Sequence, residues 1–194
     1  MNGAKEWYDR GMSAVLPRLT YPELRMMPDD GKRYELIEGG VFVTPSPSEK
    51  HQRILVNLLA NMHVHAKARG LGKVYAAPFD VVFGEKTALQ PDLLFVSSAR
   101  LGIIGPEYVL GAPDLVVEIL SPYRVPYDRV TKFEQYARHG VGEYWIIDPV
   151  AEIVDVYRLA GSTYDLKESL TGDQTLATPL LPDWKILVRD LFAA

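Results

Sequence analysis

Two stretches, Pro91-Asp92-Leu93-Leu94-Phe95-Val96 and Pro113-Asp114-Leu115-Val116-Val117-Glu118-Ile119-Leu120, are almost unbroken runs of Leu, Val, Ile and Phe. A strand with one wet face alternates polar and apolar residues, whereas a strand without alternation is covered on both sides. The chain must therefore provide layers above and below a sheet. Its 194 residues, 47% hydrophobic and 24% charged, suffice for one such core.

The covering layers can be read from the rest of the sequence. Thr20 as N-cap with Glu23 as capping-box partner predicts a short helix that stops at Pro28-Asp29-Asp30-Gly31. Arg33 to Ile37 and Val41 to Val43 read as strands joined by a hairpin turn at Gly39-Gly40. Ser46, Pro47 and Glu49 open a long helix; Ile54, Leu55, Leu58, Leu59 and Met62 mark its apolar face, and Gly70 ends it. Val74 to Phe83 reads as one further strand. Asp128 to His139 predicts a helix with Val130, Phe133 and Ala137 inward and Gly140 just past its end. Segments 144–147, 153–158 and 163–166, with a turn at Asp148-Pro149, form an antiparallel meander. Helices alternating with a mixed sheet imply α/β or α+β architecture. The first nineteen residues show no period and read as an N-terminal arm, leaving 20–194 as one domain.

Composition removes several chemistries. Cysteine is absent, so disulfides, thiolate nucleophiles and sulfur-bound metals are excluded and any metal must use oxygen or imidazole. The first residues lack the apolar core of a secretory signal, and nothing approaches the roughly 20 apolar residues of a membrane span, so a cytoplasmic protein without a membrane partner is expected. Lys+Arg 21 against Asp+Glu 25 gives 21 − 25 = −4, which leaves no global electrostatic grip on nucleic acid. Between Glu49 and Lys73, however, Lys50, Arg53, Lys67, Arg69 and Lys73 face a single acid. This is a basic helix or an ordinary solvated face.

Glu118 is the oddity. A lone carboxylate in a central strand costs several kcal/mol unless it is paired or metal-bound. Either a buried Arg or Lys partner or a functional site must compensate it. Asp114 lies four residues along the same strand, roughly 13 Å away at about 3.3 Å per residue, too far to share an ion. Asp92 heads a separate strand, and carboxylates on neighbouring strands can share a cation whose ligands lie about 2.0 to 2.1 Å from it. Other templates fail: Gly70-Leu71-Gly72-Lys73 lacks the spacing of a phosphate loop, His63 and His65 point to different helix faces, and no nucleophile-elbow serine is present.

Pro91-Asp92 followed 118 − 92 = 26 positions later by Glu118 on an apolar strand resembles the PD-(D/E)XK nuclease superfamily. The likeness extends to that superfamily's Uma-two family of restriction endonucleases. It is carried by Tyr34-Glu35-Leu36-Ile37-Glu38-Gly39, Ser48 with His51-Gln52, Pro91 to Val96, Val116 to Pro122, Lys132 with Tyr136, Gly140-Val141 and Glu143 to Pro149, in order along residues 20–190.

The resemblance implies a restriction-endonuclease-like core, a mixed central sheet flanked by helices. It further implies magnesium- or manganese-dependent cleavage of duplex DNA by a homodimer. Asp92, Glu118 and the backbone carbonyl of Ile119 would hold the ion, with Glu35 as the N-terminal acid and Glu38 the lesser option. The superfamily lysine two residues after the Glu is replaced by Leu120. In this branch its role passes to Lys132 on the next helix, whose long stem can lie along apolar surface. His51 would touch a phosphate or orient a carboxylate, and Arg53, Arg124 and Arg129 would steer DNA. Two rival readings are a nuclease fold that binds nucleic acid or protein without turnover, and a metal-free two-carboxylate glycosidase.

Overall fold

The computed structural model describes residues 18–28, 30–44, 46–121 and 127–194, and its architecture is α+β. The chain runs α1 (Tyr21–Arg25), β1 (Arg33–Ile37), β2 (Gly40–Thr44), α2 (Glu49–Arg69), β3 (Gly72–Ala76), β4 (Asp80–Gly84), β5 (Thr87–Leu89), β6 (Leu93–Ser97), β7 (Tyr108–Leu110) and β8 (Leu115–Ile119). A π-helical turn, Tyr127–Lys132, then leads into α3 (Phe133–Arg138), β9 (Glu143–Asp148), β10 (Ile153–Ala160), β11 (Thr163–Thr171), β12 (Thr175–Ala177), β13 (Lys185–Leu187) and α4 (Val188–Phe192). No described helix is long and apolar enough to cross a membrane.

The strands form two main sheets. One has the order β2-β1-β5-β4-β7, the other β11-β10-β9-β8-β6-β3, in which only the β8–β9 pair is parallel. β9, β10 and β11 make the expected antiparallel meander. The two apolar runs lie at the centre of the larger sheet and are covered on both faces. Leu93, Phe95, Leu115, Val117, Trp145 and Ile147 meet Ile54, Leu58 and Met62 of α2 on one side. Leu94, Val96, Val116, Leu120, Tyr144 and Ile146 turn the other way, toward Val81, Leu89 and Ile37 of the smaller sheet and toward Tyr136 of α3. Asp92 and Glu118 fall on this second, inter-sheet face by alternation.

Several local expectations shift. The long helix is capped by Ser48, whose hydroxyl accepts from the His51 N–H, rather than by Ser46; it ends at Gly70 in the left-handed conformation, as expected. The first hairpin turns on Glu38 (φ 50°) and Gly39 (φ 86°), not Gly39-Gly40, because a two-residue turn matching strand twist needs two positive φ values between the paired ends Ile37 and Gly40. The strand expected over 74–83 is two strands, since β3 and β4 belong to different sheets. The helix expected over 128–139 is a π-helical turn followed by six α-helical residues, and Val130 is exposed rather than inward. β5, β7, β12, β13 and α4 are too short to leave a periodic signal.

Gly72 is required by a close approach. Its φ is 152°, and a Cβ there would lie 2.2 Å from the Val96 carbonyl oxygen across the β3–β6 pair. Gly72→Ala is expected to lower the unfolding free energy by about 1 to 3 kcal/mol, measured by urea denaturation, since backbone must move to admit the methyl.

Candidate active site

β6 and β8 pair antiparallel with Leu93 opposite Val117. One step further in that register Asp92 stands opposite Glu118, and directly opposed residues project to the same face. β1 of the smaller sheet brings Glu35 to face them. All three carboxylates are buried, Glu35 completely. The sequence thus builds an acidic cluster between two sheets, which stands only if each oxygen is compensated.

Lys132 supplies the central compensation. Its Nζ lies 2.9 Å from Glu35 Oε1 and 2.9 Å from Glu118 Oε1, and its side chain is 4% exposed. Tyr136, one helical turn later, donates its hydroxyl to the same Glu118 oxygen at 2.7 Å. Burial, with Glu118 and Glu35 close by, pushes the Tyr136 phenol well above its usual range, so it remains a donor. Glu35 also accepts from the Gln90 N–H at 2.9 Å and the Thr44 hydroxyl at 3.2 Å. Glu38, the lesser option for the N-terminal acid, sits at the exposed hairpin turn and pairs with Arg138.

Asp92 is held separately. Its Oδ2 accepts from the Ile119 N–H at 2.8 Å and lies 3.0 Å from His51 Nε2. Burial alone would raise its pKa. The His51 hydrogen bond, the charges of His51 and Lys132 and the Ile119 N–H outweigh burial and hold the carboxyl below its ordinary range. His51, at the first turn of α2, is therefore placed to orient a carboxylate. Its Nδ1 is buried with no partner among the described residues.

The structure thus brings Glu35, His51, Asp92, Glu118, Ile119 and Lys132 together, and the arginines are placed differently. Arg53 bonds Glu49 and the Phe192 carbonyl, tying the C-terminus to α2 instead of facing the cluster. Arg129 is paired with Asp155 at 3.2 Å and lies 3.7 Å from Asp148, a residue that also closes its turn by accepting from the Val150 and Ala151 N–H groups. Arg124 lies outside the described residues. Lys50 pairs with Glu152 and Arg53 with Glu49, so the basic helix is partly neutralised. Thr44 and Gln90 were not singled out by the sequence reading, and Tyr136 was noted without a role. Only Tyr136 left a signal, its i, i+4 spacing from Lys132.

The donor set suits a hard divalent cation. Among the described residues, three carboxylates lie around one ammonium and one imidazole, which makes the cluster rich in oxygen donors. Among the described residues no three His, Asp or Glu side chains are grouped tightly enough to cage a metal by themselves. Asp92 and Glu118 with the Ile119 carbonyl remain. The Ile119 N–H faces Asp92, and a strand residue presents its N–H and C=O on the same side. Two carboxylates, a carbonyl and water match the way magnesium is bound.

Comparison with known proteins bears on the family and the fold. None of the curated proteins matches the chain. A protein of Anabaena variabilis ATCC 29413, whose crystal structure is described as that of "a putative nuclease belonging to DUF820", superposes with a TM-score of 0.75 over 90% of this chain and 97% of its own, at 23% identity. That likeness establishes the fold as one found in a protein so described. The Uma2 family, described as "Putative restriction endonuclease", matches residues 21–189. The match spans most of the chain and agrees with the resemblance carried by its motifs, and this chain belongs to the Uma2 family.

Proposed function

We propose that the protein is a magnesium-dependent endonuclease hydrolysing phosphodiester bonds of duplex DNA, with manganese as an alternative ion. The observation that carries this reading is the cross-strand pair Asp92 and Glu118 joined to Lys132 in one buried cluster. Family membership favours a phosphodiester over a glycoside as the bond attacked. Asp92, Glu118 and the Ile119 carbonyl would hold the ion. When bound, such an ion lowers the pKa of a water and offsets charge on the phosphate in the transition state.

The chain's own groups do the rest. Lys132 has its ammonium between Glu35 and Glu118, where it orients the attacking water or stabilises developing negative charge on phosphate. Glu35, fixed by the Gln90 N–H and Thr44, positions that ammonium. His51 fixes the Asp92 carboxylate through Nε2. The buried setting strengthens each of these interactions over its value in water. On this reading residues 20–194 are one domain in a cytoplasmic protein, and two copies related by a twofold axis would each cut one strand of the duplex.

Calorimetric titration of magnesium and of manganese into the wild type and Glu118→Gln tests the reading. Binding is expected in the wild type, with loss of about tenfold or more in affinity in the variant. Equal binding by both proteins would remove Glu118 from the metal site. A second reading, a nuclease fold that binds DNA without cutting it, is favoured by the ammonium of Lys132 already compensating Glu118. It predicts DNA binding in calcium and no cleavage in magnesium.

A further inference from the structure

A cavity of about 360 Å³ opens beside the cluster, bounded by Arg33, Val43, Thr44, Gln52, Ala77 and Pro78 among others. Its walls touch the machinery described above at three points. Thr44 donates to Glu35, Gln52 follows His51 on α2, and the Ala77 N–H bonds the Asp92 carbonyl. Arg33 and Thr44 are directly opposed across the β1–β2 pair, so they project to one face. Glu35, two residues along β1, shares that face.

Arg33 is half-buried, and no carboxylate pairs with it among the described residues. The Gln52 side chain is exposed and likewise has no hydrogen-bond partner there. Most other cations near the fold's surface are neutralised by neighbours, as Arg25, Lys50, Arg129 and Arg138 are. A guanidinium that lines this cavity with no carboxylate partner among the described residues favours an anion, and its planar fork matches phosphate oxygens. The reach fits too. Arg33 stands roughly 6.6 Å along β1 from Glu35, about two axial steps of a nucleic-acid strand at about 3.4 Å each. Val43, Pro47 and Pro78 give the cavity apolar walls for a sugar or base, and its volume is at the small end of ligand pockets, about one nucleotide.

We infer that this cavity is the subsite for a nucleotide flanking the phosphodiester bond under attack, with Arg33 gripping its phosphate and Gln52 contacting its sugar or base. The inference rests on the DNA-nuclease reading and makes Arg33 a positioning residue rather than part of the chemistry.

The test combines binding and turnover. A short fluorescein-labelled DNA duplex is titrated in calcium with the wild type, Arg33→Ala, Arg33→Lys and Gln52→Ala at several salt concentrations, followed by anisotropy. Arg33→Ala is expected to bind about tenfold more weakly, the worth of one charge-assisted contact. Its log affinity should fall less steeply with log salt by about 0.9, one phosphate. Arg33→Lys should recover the slope but only part of the affinity. Gln52→Ala should lose about threefold with the slope unchanged. In magnesium, Arg33→Ala should raise KM about tenfold with kcat retained.

Wild-type affinity and slope in Arg33→Ala would overturn the subsite, and the nuclease reading would stand if the wild type still cuts. A wild type that binds DNA but never cuts it would overturn the nuclease reading and the subsite with it, even if Arg33→Ala binds more weakly. A wild type that neither binds nor cuts removes both.

Discussion

Lys132→Met is expected to lower the unfolding free energy by about 3 to 5 kcal/mol, read from urea or thermal denaturation. The methionine retains the apolar stem but leaves Glu35 and Glu118 without the ammonium that lies 2.9 Å from an oxygen of each. Removing one partner of a buried ion pair costs more than the pair contributes, because the remaining charges stay out of water. Restoring neutrality by combining Lys132→Met with Glu35→Gln and Glu118→Gln should recover much of that loss. A Lys132→Met protein as stable as wild type would show that water reaches the cluster freely. Cleavage should be lost in Lys132→Met at temperatures where the variant remains folded, which separates the residue's chemical role from its structural one.

Asp92→Asn should diminish magnesium-dependent cleavage of duplex DNA by about 10³-fold, the scale seen when a preorganised charge is removed from a reacting centre. The amide fits the same space, so the fold should persist. Stability carries a second signature. The folded Asp92 carboxyl has a pKa below its ordinary value, chiefly because His51 outweighs the penalty of burial. A depressed folded pKa adds stability at pH values above the unfolded pKa of roughly 3.9, and that stability is lost as pH falls through the folded value. Between about pH 5 and pH 3 the wild type should therefore lose stability more steeply than Asp92→Asn. Parallel acid titrations would remove Asp92 from the stability role, and cleavage by the variant at the wild-type rate would remove it from the catalytic one.

Much of this site is legible in the chain because buried charge is expensive. Asp92 and Glu118 stand out against runs of Leu, Val and Phe, and strand geometry alone sets Asp114 aside. In the structure Asp114 accepts the Ser97 N–H and pairs with Arg100, as a strand-entry residue does. Lys132 is different. A helix lysine looks solvated in any sequence, and only family likeness singles it out; its burial depends on α3 docking between sheets whose contacts are non-local. Glu38 ranks below Glu35 because it adjoins a glycine turn, and the structure exposes Glu38 and buries Glu35, with the hairpin turn one position from where glycine content places it. Arg53 fails for a related reason. A basic residue one turn into a basic helix suggests DNA, whereas the C-terminal α4 returns to bind it. The strand pair misread as one over 74–83 shows the same limit, because an apolar run carries no mark of which sheet each half joins.

The cluster draws on positions 35, 51, 92, 118, 132 and 136, contributed by both sheets and two helices. No short stretch of chain contains even a pair of facing acids, and contacts of such sequence separation form only after costly loop closures. A chain still emerging from the ribosome therefore lacks this buried cluster until Tyr136 is out and both sheets have met.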